Sequence, residues 1–165
     1  MVTNISHSPK DTEALGERWA AELSAGWLLG LMGDLGAGKT QLVRGLARGL
    51  GCPDRVHSPS FALMVEYHGG RCPLYHLDLY RLNDPPEIVA AGLEEYLLAS
   101  NGIVVVEWIE RWLPDALHEW RQRLESTTSL LPAEVLSALP RPCRLAWLQI
   151  RGESERVIIH EDFGV

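Results

Sequence analysis

The stretch GDLGAGKTQLV, residues 33–43, decides how the rest of this chain is read. Its first eight residues fit G-x-x-x-x-G-K-[ST], with Gly33, Gly38, Lys39 and Thr40 in the fixed places. Gly36 and Gly38 let the backbone wrap closely around phosphate oxygens, so that its N–H groups point inward. A helix starting near Lys39 adds the positive end of its dipole. Lys39 then reaches the outer phosphates, and the Thr40 hydroxyl can ligate Mg²⁺. Asp34, Leu35, Ala37 and Gln41 complete the candidate nucleotide-binding stretch.

The flanks suit such a loop. Before it lies the short apolar run WLLGLM, residues 27–32, read as a buried strand. After it, Val43, Leu46 and Leu50 share one side of a helix over 40–50 that Gly51 closes. Further out, Ser8-Pro9 opens a helix with Leu15, Trp19 and Leu23 on its buried face. Residues 61–67 and 73–79 read as two strands around a glycine turn, residues 84–98 as a helix, and 103–106 as a strand rich in valine. Leu113, Leu117, Trp120 and Leu124 mark a long helix, and 145–150 and 156–159 are strands. Trp19 and Trp120 belong to the core by spacing, and Trp27 and Trp147 to the sheet.

Alternating strands and helices predict an α/β fold, a three-layer P-loop NTPase sandwich. Its central sheet is expected to be mainly parallel, with added antiparallel strands. A chain of 165 residues is read as one domain, with 126–143 as a loop-rich surface insertion holding a short helix.

Bulk properties narrow the function. The chain is 46% hydrophobic, and no window is long and apolar enough to span a membrane. The first residues lack the basic start and apolar core of a secretory signal, so a cytoplasmic protein is expected. Three cysteines without CxxC spacing argue against structural zinc and a disulfide framework. The formal charge of −7 does not attract nucleic acid by bulk electrostatics.

A P-loop alone leaves magnesium half-held and water unactivated. Two acidic residues sit where strands end, Asp78 and Glu107, and both are candidates for metal binding and catalysis beside Lys39 and Thr40. Which one holds the ion and which one orients water stays open in the sequence. Period-2 alternation in HLDLYRL, residues 76–82, sets His76, Asp78 and Tyr80 on one face if the strand continues. His76 is read as orienting its neighbours by a hydrogen bond. Ser58 and Ser60 occupy a polar turn, which is either a phosphate-sensing switch or inert.

GDLGAGKT, SPSF, HLDLYRL and VEWIE in this order resemble the TsaE family, the small bacterial ATPases of tRNA threonylcarbamoyladenosine biosynthesis. The resemblance runs over residues 12–112. It implies that residues 33–40 form an ATP site. It also implies that Ser58, Pro59, Ser60 and Phe61 match a switch-like loop usually written Ser-Pro-Thr-Phe, with Ser60 keeping the hydroxyl of the usual threonine. Asp78 then acts at the magnesium and hydrolysis site, and Glu107 takes the Walker B-like place. Trp108 and Glu110 complete a Glu-Trp-x-Glu motif near the nucleotide, and Tyr80 and Arg81 match further motif positions. The implied partners are the transferase subunits that modify the adenosine beside the anticodon in tRNAs reading ANN codons, with tRNA met only through that complex. The family member does not transfer the group itself. Two readings from other classes stay open, a nucleotide-gated binding module with negligible turnover and a small-molecule kinase.

Overall fold

The computed structural model describes residues 1–98, 101–125 and 142–164. In it the apolar run before the glycine loop forms β2 (Leu28–Met32), every residue of which is buried. A strand covered on both faces reads as an unbroken apolar run. The loop leads into α2 (Lys39–Leu50), which Gly51 ends in the left-handed conformation. Before β2 come β1 (Val2–Ser6) and α1 (Pro9–Glu22), whose Ser8 side chain accepts the Asp11 N–H as an N-cap. After α2 follow β3 (Met64–Tyr67), β4 (Leu74–Asp78), α3 (Pro85–Ala90), α4 (Glu94–Leu97) and β5 (Ile103–Glu107). A 3₁₀ turn (Ile109–Arg111), α5 (Pro114–Glu125), β6 (Cys143–Ile150) and β7 (Arg156–Phe163) complete the described chain.

The seven strands make one sheet in the order β1-β7-β6-β2-β5-β4-β3. The inner four, β6, β2, β5 and β4, are parallel, while β7 and β1 on one side and β3 on the other are antiparallel additions. Alternation along β2 builds the layers. Leu29 and Leu31 pack with Trp19, Leu42 and Leu46 of α1 and α2. Leu28 and Met32 pack on the opposite face with Ile88, Leu97, Leu117 and Trp120. The expected three-layer sandwich with a mainly parallel sheet is therefore present.

Glycine lets α1 and α2 touch backbone to backbone. A Cβ on Gly45 would lie 1.8 Å from the Glu13 carbonyl oxygen, and one on Gly16 would lie 2.2 Å from that of Leu42. Helix α2, and with it the phosphate loop, is thus seated directly against α1.

Several elements differ from the sequence reading. β1 was not anticipated, because VTNIS is short and mostly polar, as suits an edge strand. The helix expected over 84–98 is two short helices, because Gly92 adopts φ of 72° between them. The strand expected from residue 61 begins at Met64, and Phe61 stands 87% exposed in the preceding turn. β4 ends at Asp78, so strand alternation does not carry Tyr80 onto the face of His76 and Asp78. Cys143, assigned to the surface insertion, opens β6 opposite Leu28. The remainder of that insertion, with its expected short helix, lies at 126–141, outside the described residues.

Candidate phosphate-binding site

The topology brings three chain segments to one edge of the sheet. β2 runs into the glycine loop, and the parallel strands β4 and β5 end beside it with Asp78 and Glu107 in register opposite each other. Leu31 of β2 pairs with the same Glu107. The carboxyl ends of parallel strands are where ligands of open α/β sheets collect.

A cleft of about 370 Å³ opens there. Its floor is Leu35, Gly36, Gly38, Lys39, Thr40 and Gln41 from the loop and the first turn of α2. Gly38 holds φ of 103°, a conformation that glycine adopts without the penalty of a Cβ. The walls are Ser58, Ser60, Asp78, Tyr80, Glu107 and Trp108, together with Arg44 from the second turn of α2.

Lys39 is 5% exposed, and its ammonium donates to the carbonyls of Gly33 at 2.6 Å and Asp34 at 3.0 Å. It also stands 3.9 Å from the centre of the Trp108 ring. Burial pushes its pKa below the ordinary lysine value, against the opposing pull of Glu107, Glu110, Asp78 and Asp34. The lysine is therefore desolvated and held by weak carbonyl acceptors, a state that phosphate oxygens satisfy better.

Thr40 Oγ1 donates to Glu107 Oε1 at 2.8 Å. The same carboxylate oxygen lies 2.8 Å from Nε2 of His76, which is fully buried on β4. His76 and Thr40 thus meet at the same oxygen of Glu107. Asp78 is engaged at both oxygens. Its Oδ1 accepts the Tyr80 N–H at 3.0 Å, and its Oδ2 accepts the hydroxyls of Ser58, at 2.9 Å, and of Ser60. The serines of the polar turn are tied to the acidic residue, while Ser58 remains exposed.

Trp108 follows Glu107 with φ of 61°, uncommon for a non-glycine residue and costing on the order of 1 kcal/mol. That turn sends the chain into the 3₁₀ segment and lays the indole along the cleft, 5.1 Å from the Tyr80 ring.

Other sequence candidates stand apart from the cleft. Ala37 is fully buried beneath the loop. Gly33, Asp34 and Glu110 line a separate depression behind it, with Arg121 and Arg151. Glu110 has a buried Oε2 without a hydrogen-bond partner among the described residues, and burial raises its pKa above the ordinary glutamate value. Phe61 points outward with the Arg81 guanidinium 4.2 Å from its ring centre, next to Pro59 in the same turn. Arg44 was not singled out in the sequence. Its position one turn after Thr40, on the same helix face, was the available signal.

The sequence model of the family described as threonylcarbamoyl adenosine biosynthesis protein TsaE matches residues 6–133. The chain belongs to the TsaE family. A TsaE protein of Nostoc is 49% identical over 114 residues, covering 67% of this chain and 70% of the relative. The TsaE protein of Bacillus subtilis is 44% identical over 110 residues, covering 65% and 68%. The crystal structure of Bacillus subtilis YdiB superposes with a TM-score of 0.66 at 30% identity, over 95% of this chain and 82% of that one. The span matched by the family model holds the glycine loop, the Ser-Pro-Ser-Phe turn and both strand-end acids. Among the described residues no helix is long and apolar enough to cross a membrane.

Proposed function

We propose that this chain hydrolyses Mg-ATP in support of threonylcarbamoyladenosine modification of tRNA beside the anticodon, acting on the transferase subunits rather than transferring the group itself. The observation that carries the reading is the meeting in one cleft of Lys39, Thr40, Asp78 and Glu107, drawn from α2, β4 and β5.

The donor set fits magnesium. A threonine hydroxyl and two carboxylates are hard oxygen ligands, and this ion is commonly bound by one or two carboxylates plus the substrate's phosphates. Thr40 and Glu107, already joined, would hold the ion, with Asp78 beside them. Magnesium, when bound, offsets charge on the triphosphate and templates its geometry.

The residues then divide the work. The loop N–H groups and the end of α2 bind the phosphates. Lys39 exchanges the carbonyls of Gly33 and Asp34 for outer phosphate oxygens. Asp78 orients the attacking water once Ser58 and Ser60 turn from it to the phosphate tail, and His76 keeps Glu107 in place. Trp108 closes the cleft next to Lys39. Partner contact falls to Phe61 and Arg81, which stack on each other outside the cleft, and to Tyr80 in its wall. These roles, and the cytoplasmic setting where ATP and tRNA meet, rest on this geometry together with family membership.

A kinase fits less well, because a phosphoryl acceptor needs its own cationic hold. Among the described residues the cations lining the cleft are Lys39 and Arg44, and both belong to the nucleotide helix. The nucleotide-gated module shares the serine contacts on Asp78 and differs only in turnover.

The test is a reconstituted modification reaction with the transferase subunits and a tRNA reading ANN codons. With this chain and Mg-ATP, modified adenosines should exceed the number of transferase complexes, and Lys39→Ala should abolish that excess. Equal yield without the chain contradicts the proposal. Equal yield with a non-hydrolysable ATP analogue selects the nucleotide-gated module instead.

A further inference from the structure

Arg44 sits where the nucleotide helix and the serine turn meet. Its Nη1 donates to the side-chain carbonyl of Gln41 at 2.8 Å, and its Nε donates to the backbone carbonyl of Val56 at 3.1 Å. Gln41 lines the cleft, while Val56 is buried two residues before Ser58. The guanidinium therefore spans from the floor of the cleft to the root of the turn that carries Ser58 and Ser60.

Helix geometry explains the reach. Side chains on a helix lean toward its N-terminus, so Arg44 covers the turn that contains Gln41, toward the end that receives phosphate. Its remaining nitrogen, Nη2, has no hydrogen-bond partner among the described residues, and the side chain lines both the cleft and a second depression beside Val56. The turn is held by scattered contacts, among them the Leu63 N–H donating to the carbonyl of the buried Pro59 at 2.6 Å. Val56 packs into the core, the Tyr67 hydroxyl donates to the His57 carbonyl at 3.3 Å, and the two serine hydroxyls rest on Asp78. No regular secondary structure holds residues 52–59.

We propose that Arg44 is a positioning residue that couples the phosphate tail to the serine turn: its free edge binds the outermost phosphate of a triphosphate, and its Nε bond to Val56 transmits that engagement to Ser58 and Ser60. The inference rests on the nucleotide reading given above and adds to it the element that distinguishes ATP from ADP. A diphosphate satisfies the loop and Lys39 but leaves Arg44 without its third partner. Lysine is a poor substitute, because one ammonium group on a flexible stem does not reproduce the planar fork that reaches Gln41, Val56 and phosphate together.

The test compares the full chain with Arg44→Met and Arg44→Lys, using Mg²⁺ with ADP or with the imido analogue of ATP. Two quantities are measured, the ratio of affinities for the two nucleotides and amide hydrogen exchange of residues 56–63 at saturating nucleotide. In the native chain the triphosphate analogue binds more tightly and protects 56–63 more than ADP does. Arg44→Met should reduce the preference by about tenfold, the worth of one charge-assisted hydrogen bond, and remove the difference in protection. Arg44→Lys should recover part of the preference without the protection. A merely structural arginine would move both nucleotides alike. Unchanged preference and unchanged protection in Arg44→Met overturn the inference while leaving the ATPase reading intact. If Arg44→Met fails to fold, Arg44→Lys decides, and native-like protection in it overturns the inference. A native chain that binds neither nucleotide removes the ATPase reading and this inference with it.

Discussion

Thr40 and Glu107, 67 positions apart in the chain, are joined by a 2.8 Å hydrogen bond across the mouth of the phosphate loop. The bond links the start of α2 to the end of β5, and it holds a hydroxyl and a carboxylate side by side, the pair proposed above to hold the ion. Glu107→Gln keeps the shape and removes the charge. Phosphate release should fall by two orders of magnitude or so, with nucleotide still bound, because a metal-supporting carboxylate acts chiefly in the transition state. Steady-state rates beside binding measurements check this, and a loss confined to KM would count against the role.

His76 supports that carboxylate from behind. It is fully buried, with Nε2 on Glu107 and Nδ1 lacking a hydrogen-bond partner among the described residues. His76→Leu should lower kcat by roughly 10- to 100-fold, the usual range for groups that orient a metal ligand, with a smaller change in KM. Circular dichroism distinguishes this from unfolding. Equal kcat in the variant would show that Glu107 needs no such support.

The legible part of the fold was local. The glycine loop and the apolar run before it announce strand, turn and helix in consecutive residues. Asp78 and Glu107 stood out because each closes a buried run, a pattern visible one strand at a time. What escaped depends on partners distant in sequence. VTNIS is too short and polar to signal a strand, and it is one only because β7 pairs with it. Arg44 holds a backbone carbonyl, and any residue type supplies such an acceptor, so no motif marks Val56. The break at Gly92 was readable in principle, since glycine tolerates positive φ, and Ile88, Leu93 and Leu97 on its two sides pack into one core cluster.

Lys39 gives a pH dependence with a definite sign. Its folded pKa lies below the ordinary value, so the free protein loses this proton earlier on the alkaline side than an unfolded chain would. The protonated form is the one that binds phosphate, so ATP affinity should fall as pH rises through that lowered pKa, with proton uptake on binding. Calorimetry in buffers of different ionisation enthalpy measures the uptake. Lys39→Arg, which stays charged, should flatten the dependence; an equally steep fall in that variant would assign it to another group.

Glu110 behaves oppositely. Burial raises its folded pKa above the unfolded value, so it favours the fold when protonated, and that contribution is lost as pH rises through the folded pKa. Glu110→Gln should therefore gain stability relative to the native chain on going from acid to neutral pH. Thermal melts across that range test it, and a constant gap between the two proteins would contradict it.

The seat of α2 on α1 predicts a sharp steric penalty. Gly45→Ala places a methyl 1.8 Å from the Glu13 carbonyl oxygen, where neither backbone yields without moving a helix. A loss of about 3 kcal/mol is expected, at the upper end for overpacking, and urea denaturation would reveal it. An alanine variant as stable as the native chain would mean that the helices separate easily.

The measurement that bears most directly on the account is the initial rate of phosphate release from Mg-ATP, with and without the transferase subunits and tRNA, for the native chain, Lys39→Ala and Asp78→Ala. The account predicts a low basal rate, raised by the partners and lost in both variants. A rate at background under every condition, with ATP binding intact, would contradict hydrolysis and leave a nucleotide-gated binding protein.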